Sequence, residues 1–184
     1  MALHVAAAEL VFSQTVEGLL RAVGPLKPTE KARFREIGFD PDAPIDAAYP
    51  VEKYVQLQRV AVEVFAPDLP FPLAIESLGR RFVDGYGETL IGRAVIVGMK
   101  LLGPKRTLQR LTRTLSTGST FFETKLDETE PGVWRLWINR VTYPGWYLGL
   151  LRRGLELAGA RDIQLKIIEH VGPGLGLTLE VRWS

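Results

Sequence analysis

The side chains that could carry catalysis are few and badly placed for it. The chain has no cysteine, which removes thiolate nucleophiles, disulfides and cysteine-ligated zinc and points to a reducing compartment such as the cytoplasm. Its two histidines, His4 and His170, stand far apart and lack the spacing of a metal pair. There is no Gly-x-Ser-x-Gly elbow and no Gly-x4-Gly-Lys-Ser/Thr phosphate loop. The glycines at Gly172, Gly174 and Gly176 imitate a dinucleotide fingerprint, but they join two predicted strands instead of a strand and a helix. Asp40 and Asp42 lie inside a proline loop, where turn capping accounts for them. The expected sets of catalytic residues, metal ligands and cofactors are therefore empty.

Three other groups of residues could bind something. Phe82 and Tyr86 share a helical face, and with Trp137 or Trp134 and with Tyr147 they could wall an apolar pocket, Arg93 serving as its polar anchor. Lys105, Arg106, Arg110 and Arg113 put four cations on about three helical turns with no acid among them. Lys105 and Arg106 stand in the first turn, where the helix dipole disfavours positive charge, so this face suits an acidic partner if it is not simply solvated. No nucleic-acid motif or interleaved aromatic run accompanies it, which argues against nucleic acid. Trp146, Gly149 and Arg153 form the third group. Adjacent helical residues project about 100 degrees apart, so if Tyr147 faces inward, Trp146 is left at the rim as a self-association contact in a homodimer.

These groups need a scaffold, and composition bounds it. The 184 residues are 46% hydrophobic and 24% charged, with a net charge of +2, values that suit one domain spanning 1–184 with a sizeable core. No cationic leader precedes the first apolar residues, and no apolar run approaches the roughly 20 residues needed to span a bilayer.

The fold class expected is α+β: a helical part, 1–118, covering a four-stranded antiparallel sheet in 119–184 with strand-strand-helix-strand-strand order. The residues 9–12 fit either a strand or a helical turn. Val16, Leu19, Leu20 and Val23 step as a helix face that Gly24 and Pro25 stop. A second helix is expected after Thr29 as N-cap, a proline-rich loop over 40–50, and a third helix beyond Pro50 with Tyr54, Leu57, Ala61 and Val64 on one face. The longest helical pattern covers 73–102 with its second half buried on most sides, and it holds Gly79, Gly85, Gly87, Gly92 and Gly98. Each glycine costs about 1 kcal/mol against alanine, so close packing or room for a ligand must offset it. Pro104 opens the next helix. Beyond it, Trp134, Leu136 and Ile138, and later Leu177, Leu179 and Val181, alternate with polar residues as half-buried strands, and Pro131 with Gly132 makes a hairpin turn. A helix starting after Pro144 and Gly145 separates the two strand pairs.

Nearly the whole chain resembles an uncharacterised family expanded as paralogues in myxobacteria. The resemblance rests on Phe34-Arg-Glu-Ile-Gly-Phe-Asp40, Tyr49-Pro50, Leu78-Gly-Arg-Arg-Phe82 with Gly85-Tyr86, Leu102-Gly-Pro104 and Pro144-Gly-Trp-Tyr-Leu-Gly149. More distantly, Gly149, Gly159 and the strands closing at Trp183 resemble the vinyl-4-reductase-type, TRAPP and haem-NO-binding folds. That resemblance implies helices packed on a four-stranded sheet, dimerisation, and a small or hydrophobic ligand held between the two layers. It does not bring zinc or haem with it, because the cysteines of the zinc type are missing and neither histidine falls inside a predicted helix. Three readings stand: a non-enzymatic ligand-binding or sensory domain, a homodimeric interaction module with a basic helix for an acidic partner, and an enzyme of unrecognised chemistry.

Overall fold

The computed structural model describes residues 8–184. A short strand, β1 (Leu10–Phe12), pairs antiparallel with β2 (Ala48–Pro50), so the segment from 9 to 12 is a strand that turns directly into helix α1 (Ser13–Val23). Helix α2 (Pro28–Glu36) begins two residues earlier than it would with Thr29 as its cap. Pro28 occupies its first turn, and the Lys27 backbone N–H donates to the Glu30 carboxylate at 2.7 Å, which supplies the cap from the other direction. Helix α3 (Val51–Phe65) follows Pro50 as expected.

The long pattern over 73–102 is two helices, α4 (Phe71–Gly87) and α5 (Leu90–Gln109). Thr89 ends one and starts the other: its hydroxyl donates to the Tyr86 carbonyl at 2.8 Å and accepts the Gly92 N–H at 3.0 Å. The second half is also not buried on most sides, since Leu90 is 87% and Leu101 82% exposed. Few charges kept this stretch looking like core, but α5 turns only Gly92, Met99, Thr107 and Leu108 fully inward. Gly103, at φ 74, breaks α5 just before Pro104, so the predicted new helix starts there and continues into α6 (Leu111–Leu115).

The C-terminal sheet takes the expected form. Strands β3 (Thr124–Glu130), β4 (Val133–Val141), β5 (Gln164–His170) and β6 (Leu175–Arg182) lie in the order β3-β4-β6-β5, all antiparallel, with helix α7 (Pro144–Leu157) between β4 and β5. Leu136 pairs with Leu179 and Ile138 with Leu177, and all four are fully buried. One continuous core joins this face to Leu151 and Leu155 of α7, to Leu78 of α4 and to Leu19 of α1.

Glycine sets the distance between helices. A methyl on Gly79 of α4 would fall under 3.0 Å from the Trp146 carbonyl oxygen, and one on Gly149 of α7 would meet the Glu76 carbonyl and the Arg80 N–H as closely. The two backbones therefore touch, which answers the cost of these residues in helix interiors. Gly85 stands in the same way against the backbone of α1 at Gly18 and Ala22. No helix among the described residues is long and apolar enough to cross a membrane.

Candidate functional site

A cavity opens among the helices, where α3, α4, α5 and α7 surround the segment that links α6 to β3. Its walls are mainly apolar: Val55 of α3, Phe82 and Val83 of α4, Val95, Ile96 and Met99 of α5, Phe121 and Phe122 of the linking segment, and Leu150 of α7. The space between these walls, mouth included, is about 1000 Å³, of which about 110 Å³ admits the centre of a water molecule. An aromatic chain lines one side. Tyr86 stacks on Phe82 at 5.6 Å between centroids, Phe82 meets Trp146 at 4.9 Å, and Trp146 meets Tyr54 edge-on at 6.4 Å. Tyr147, next to Trp146 on α7, meets Phe122 edge-on at 5.8 Å.

Several of the polar groups at the cavity are already spent. Thr117 donates to the Thr114 carbonyl at 2.7 Å and so accepts the Tyr86 hydroxyl at 2.9 Å. Thr15 donates to the Gly118 carbonyl at 3.0 Å and Ser119 to the Leu115 carbonyl at 3.2 Å. Arg140, the one cation on the cavity wall, is held by Glu9 at 2.6 Å and by Glu52 at 3.6 Å. Other side chains on this wall make no side-chain hydrogen bond among the described residues, Thr114, Thr142 and Tyr143 among them. The Tyr54 hydroxyl is buried without a hydrogen-bond partner, and Tyr147 and the buried Gln58 make no side-chain hydrogen bond although both line the same cavity. Burial holds the Tyr54 phenol well above its ordinary pKa, with Tyr147 adding to the rise, and burial alone does the same to Tyr147. Both phenols therefore stay protonated at neutral pH and can donate.

Of the five residues expected at the pocket, the structure brings together Phe82, Tyr86 and Tyr147 and leaves out two. Trp137 lies on the other face of β4, opposite Lys125, whose ammonium stands 5.1 Å over its ring. A strand's period of two requires this, because Leu136 and Ile138 already claim the core face. Trp134 does share that face, but it stacks on Trp183 at 6.0 Å, away from the cavity. Arg93 is exposed in the first turn of α5 and anchors nothing in the cavity. The pocket therefore sits mainly among helices, with the sheet reaching it through Arg140 of β4. Sequence reasoning missed Tyr54 and Gln58, which sit four residues apart on one face of α3. A tyrosine and a glutamine on an otherwise apolar helical face was the available signal.

The group expected at a dimer contact is used inside the fold. Trp146 is only 4% exposed, Gly149 seats α7 on α4, and Arg153 pairs with Asp84 at 2.8 Å and Glu156 at 3.4 Å. Tyr147 and Trp146 do point in different directions, but α7 is covered on both sides, so neither is left at a rim. In the basic group, Lys105 covers Trp134 at 4.8 Å and pairs with Glu128 at 3.5 Å. Arg106, Arg110 and Arg113 are exposed and make no ion pair among the described residues. His170 ends β5 with its ring nitrogen 3.1 Å from the Val141 carbonyl, outside the cavity, and His4 lies outside the described residues. No cluster of metal-ligating side chains occurs among the described residues.

The family model described as "Protein of unknown function (DUF2378)" matches residues 9–184. No curated protein matches the chain. Among solved structures, a doubly substituted Tt H-NOX superposes with a TM-score of 0.72 at 11% identity, covering 94% of this chain and 95% of the other. An H-NOX protein from S. oneidensis in the Fe(II) ligation state gives 0.71 at 12% identity, covering 94% and 96%. An oxygen-binding H-NOX domain related to soluble guanylate cyclases gives 0.69 at 11% identity, covering 94% of each chain. At this identity the likeness is one of fold. Of the folds that the end of the chain resembles, it favours the haem-NO-binding one and lends nothing to the vinyl-4-reductase-type or TRAPP likeness.

Proposed function

The chain belongs to the DUF2378 family, whose function is unknown, and from its own cavity we propose that it is a sensory or ligand-binding domain that takes up a small apolar molecule among its helices. The observation that carries this reading is the cavity itself: apolar walls about an internal space with a buried hydroxyl at one side that has no protein partner. Buried polar groups are ordinarily hydrogen-bonded, and apolar clefts with a few convergent polar groups are the usual form of a small-molecule site. The fold it shares with H-NOX domains, one of which is described as oxygen-binding, agrees with a sensory role.

Haem does not fit the residues present. Haem iron is held by histidine, cysteine thiolate, methionine with histidine, or tyrosinate. The cavity wall offers neither histidine nor cysteine, and its Met99 stands without the histidine that would pair with it. The propionates would find only Arg140, which Glu9 and Glu52 already occupy. The ligand we propose is therefore an organic molecule without a metal centre.

The expected result is saturable binding of the neutral apolar fluorophore Nile red, one per chain, with a blue shift in emission. Fluorescence that rises without saturation would mean only surface contact.

The unpaired Arg106, Arg110 and Arg113 favour a second reading, an acidic protein partner for this face. Reversing charge at Arg106 and Arg110 is expected to abolish salt-sensitive binding to polyglutamate while leaving the melting temperature nearly unchanged. Binding that survives the reversal would end that reading.

A further inference from the structure

The ligand's chemistry can be narrowed further, resting on the ligand-binding reading above. Tyr54 and Gln58 occupy positions four apart on α3 and face the cavity together, and Tyr147 reaches it from α7. The Tyr54 hydroxyl is one of two buried side-chain polar atoms without a partner among the described residues. Elsewhere on the same wall the hydroxyls of Thr15, Tyr86, Thr117 and Ser119 each have one. Tyr147 acts electrostatically on Tyr54, so the two phenols are neighbours, and Gln58 stands one helical turn from Tyr54. Both phenols are protonated and can donate, and the Gln58 amide adds N–H groups beside them.

Free positive charge is lacking on this wall. Arg140 is the one cation on the wall, and two carboxylates hold it. A carboxylate or phosphate brought here would be desolvated without a free positive partner, which is strongly unfavourable. A hydrocarbon would leave the Tyr54 hydroxyl unbonded. A carbonyl oxygen accepts two hydrogen bonds, carries no net charge and matches convergent donors.

We infer that the site selects a neutral ligand whose carbonyl oxygen accepts hydrogen bonds from Tyr54 and Tyr147 beside Gln58, while its apolar body lies against Phe82, Ile96 and Met99. The ligand class is therefore a ketone, ester or amide with an aromatic or aliphatic body.

The test uses three molecules of similar size, acetophenone, isopropylbenzene and benzoate, each competed against Nile red on the wild type and on the Tyr54→Phe/Tyr147→Phe variant. Acetophenone is the heavier loser on desolvation, so the informative quantity is its affinity relative to isopropylbenzene. That ratio is expected to fall about tenfold in the double variant, the size of effect that follows from losing donors to a buried acceptor. Benzoate is expected to bind the wild type more weakly than acetophenone. The variant removes an unpaired buried hydroxyl, so its melting temperature is expected to stay level or rise, which separates the effect from misfolding. An unchanged ratio, benzoate binding tighter than acetophenone, or acetophenone failing to displace bound Nile red would each overturn the inference while leaving the pocket standing. Absence of saturable Nile red binding would remove the pocket reading itself, and this inference with it.

Discussion

Replacing Gly149 with alanine is expected to destabilise the fold by about 3 kcal/mol, whereas the same substitution at Gly98 is expected to stabilise it by up to about 1 kcal/mol. Both glycines lie in helix interiors, so propensity alone predicts the same gain at each. Their surroundings differ. A methyl at Gly149 would stand under 3.0 Å from the carbonyl of Glu76 and the N–H of Arg80, and neither can rotate away because both are backbone of α4. A methyl at Gly98 meets nothing within 4 Å. Relief at Gly149 requires α7 to move off α4, which would loosen Trp146 from Phe82 and disturb the cavity wall. Urea unfolding of the two variants measures the contrast. Equal effects of either sign would mean that the close approach of α4 and α7 does not hold the fold together.

The close packing behind that prediction could be anticipated from the glycines alone, but its partner could not. Gly79 and Gly149 raise the question of what approaches them, and only the tertiary arrangement answers that each faces the other's helix. The sheet was more legible. Trp134, Leu136 and Ile138 define one face of β4, Leu177, Leu179 and Val181 define the matching face of β6, and Pro131 with Gly132 sets the hairpin between β3 and β4. Period-two patterns survive folding because one face must be buried and the register cannot slip without inverting it.

Helix limits were harder where polarity and helical length gave conflicting signals. The run 73–102 has an unbroken apolar periodicity, and the short side chain of Thr89, followed three residues later by Gly92, is the only local mark of the cap that divides it. The apolar surface of α5 then misled in the opposite sense, since Leu90 and Leu101 stand in solvent.

The site was legible in part for related reasons. Phe82 and Tyr86 follow from the four-residue step of α4, and Tyr147 from the inward face of α7. Trp137 was placed against the alternation that its own neighbours establish. Trp146 was assigned outward because one side of α7 was taken to face water, and its burial against Phe82 of α4 and Tyr54 of α3 reverses that assignment. Tyr54 looked like ordinary core in sequence; what marks it is the missing partner of its hydroxyl, a property of the folded state alone.

The second large effect concerns the cavity itself. Gly154 lies on its wall, and a Cβ there would sit 3.9 Å from the Met99 sulfur, an ordinary contact. A leucine at this position gains about 1 kcal/mol of helix propensity over glycine and sends its remaining carbons toward the internal space. Gly154→Leu is therefore expected to keep the fold and its melting temperature while occupying the volume a ligand needs. Loss of binding without loss of fold distinguishes an internal site from adsorption to the exposed apolar residues of α5, which the substitution does not touch. Nile red titrated into the wild type and Gly154→Leu side by side tests this most directly. The account predicts one saturable site in the wild type and none in the variant, with both unfolding cooperatively. Equal binding by the two proteins would place the fluorophore outside the cavity and contradict the account.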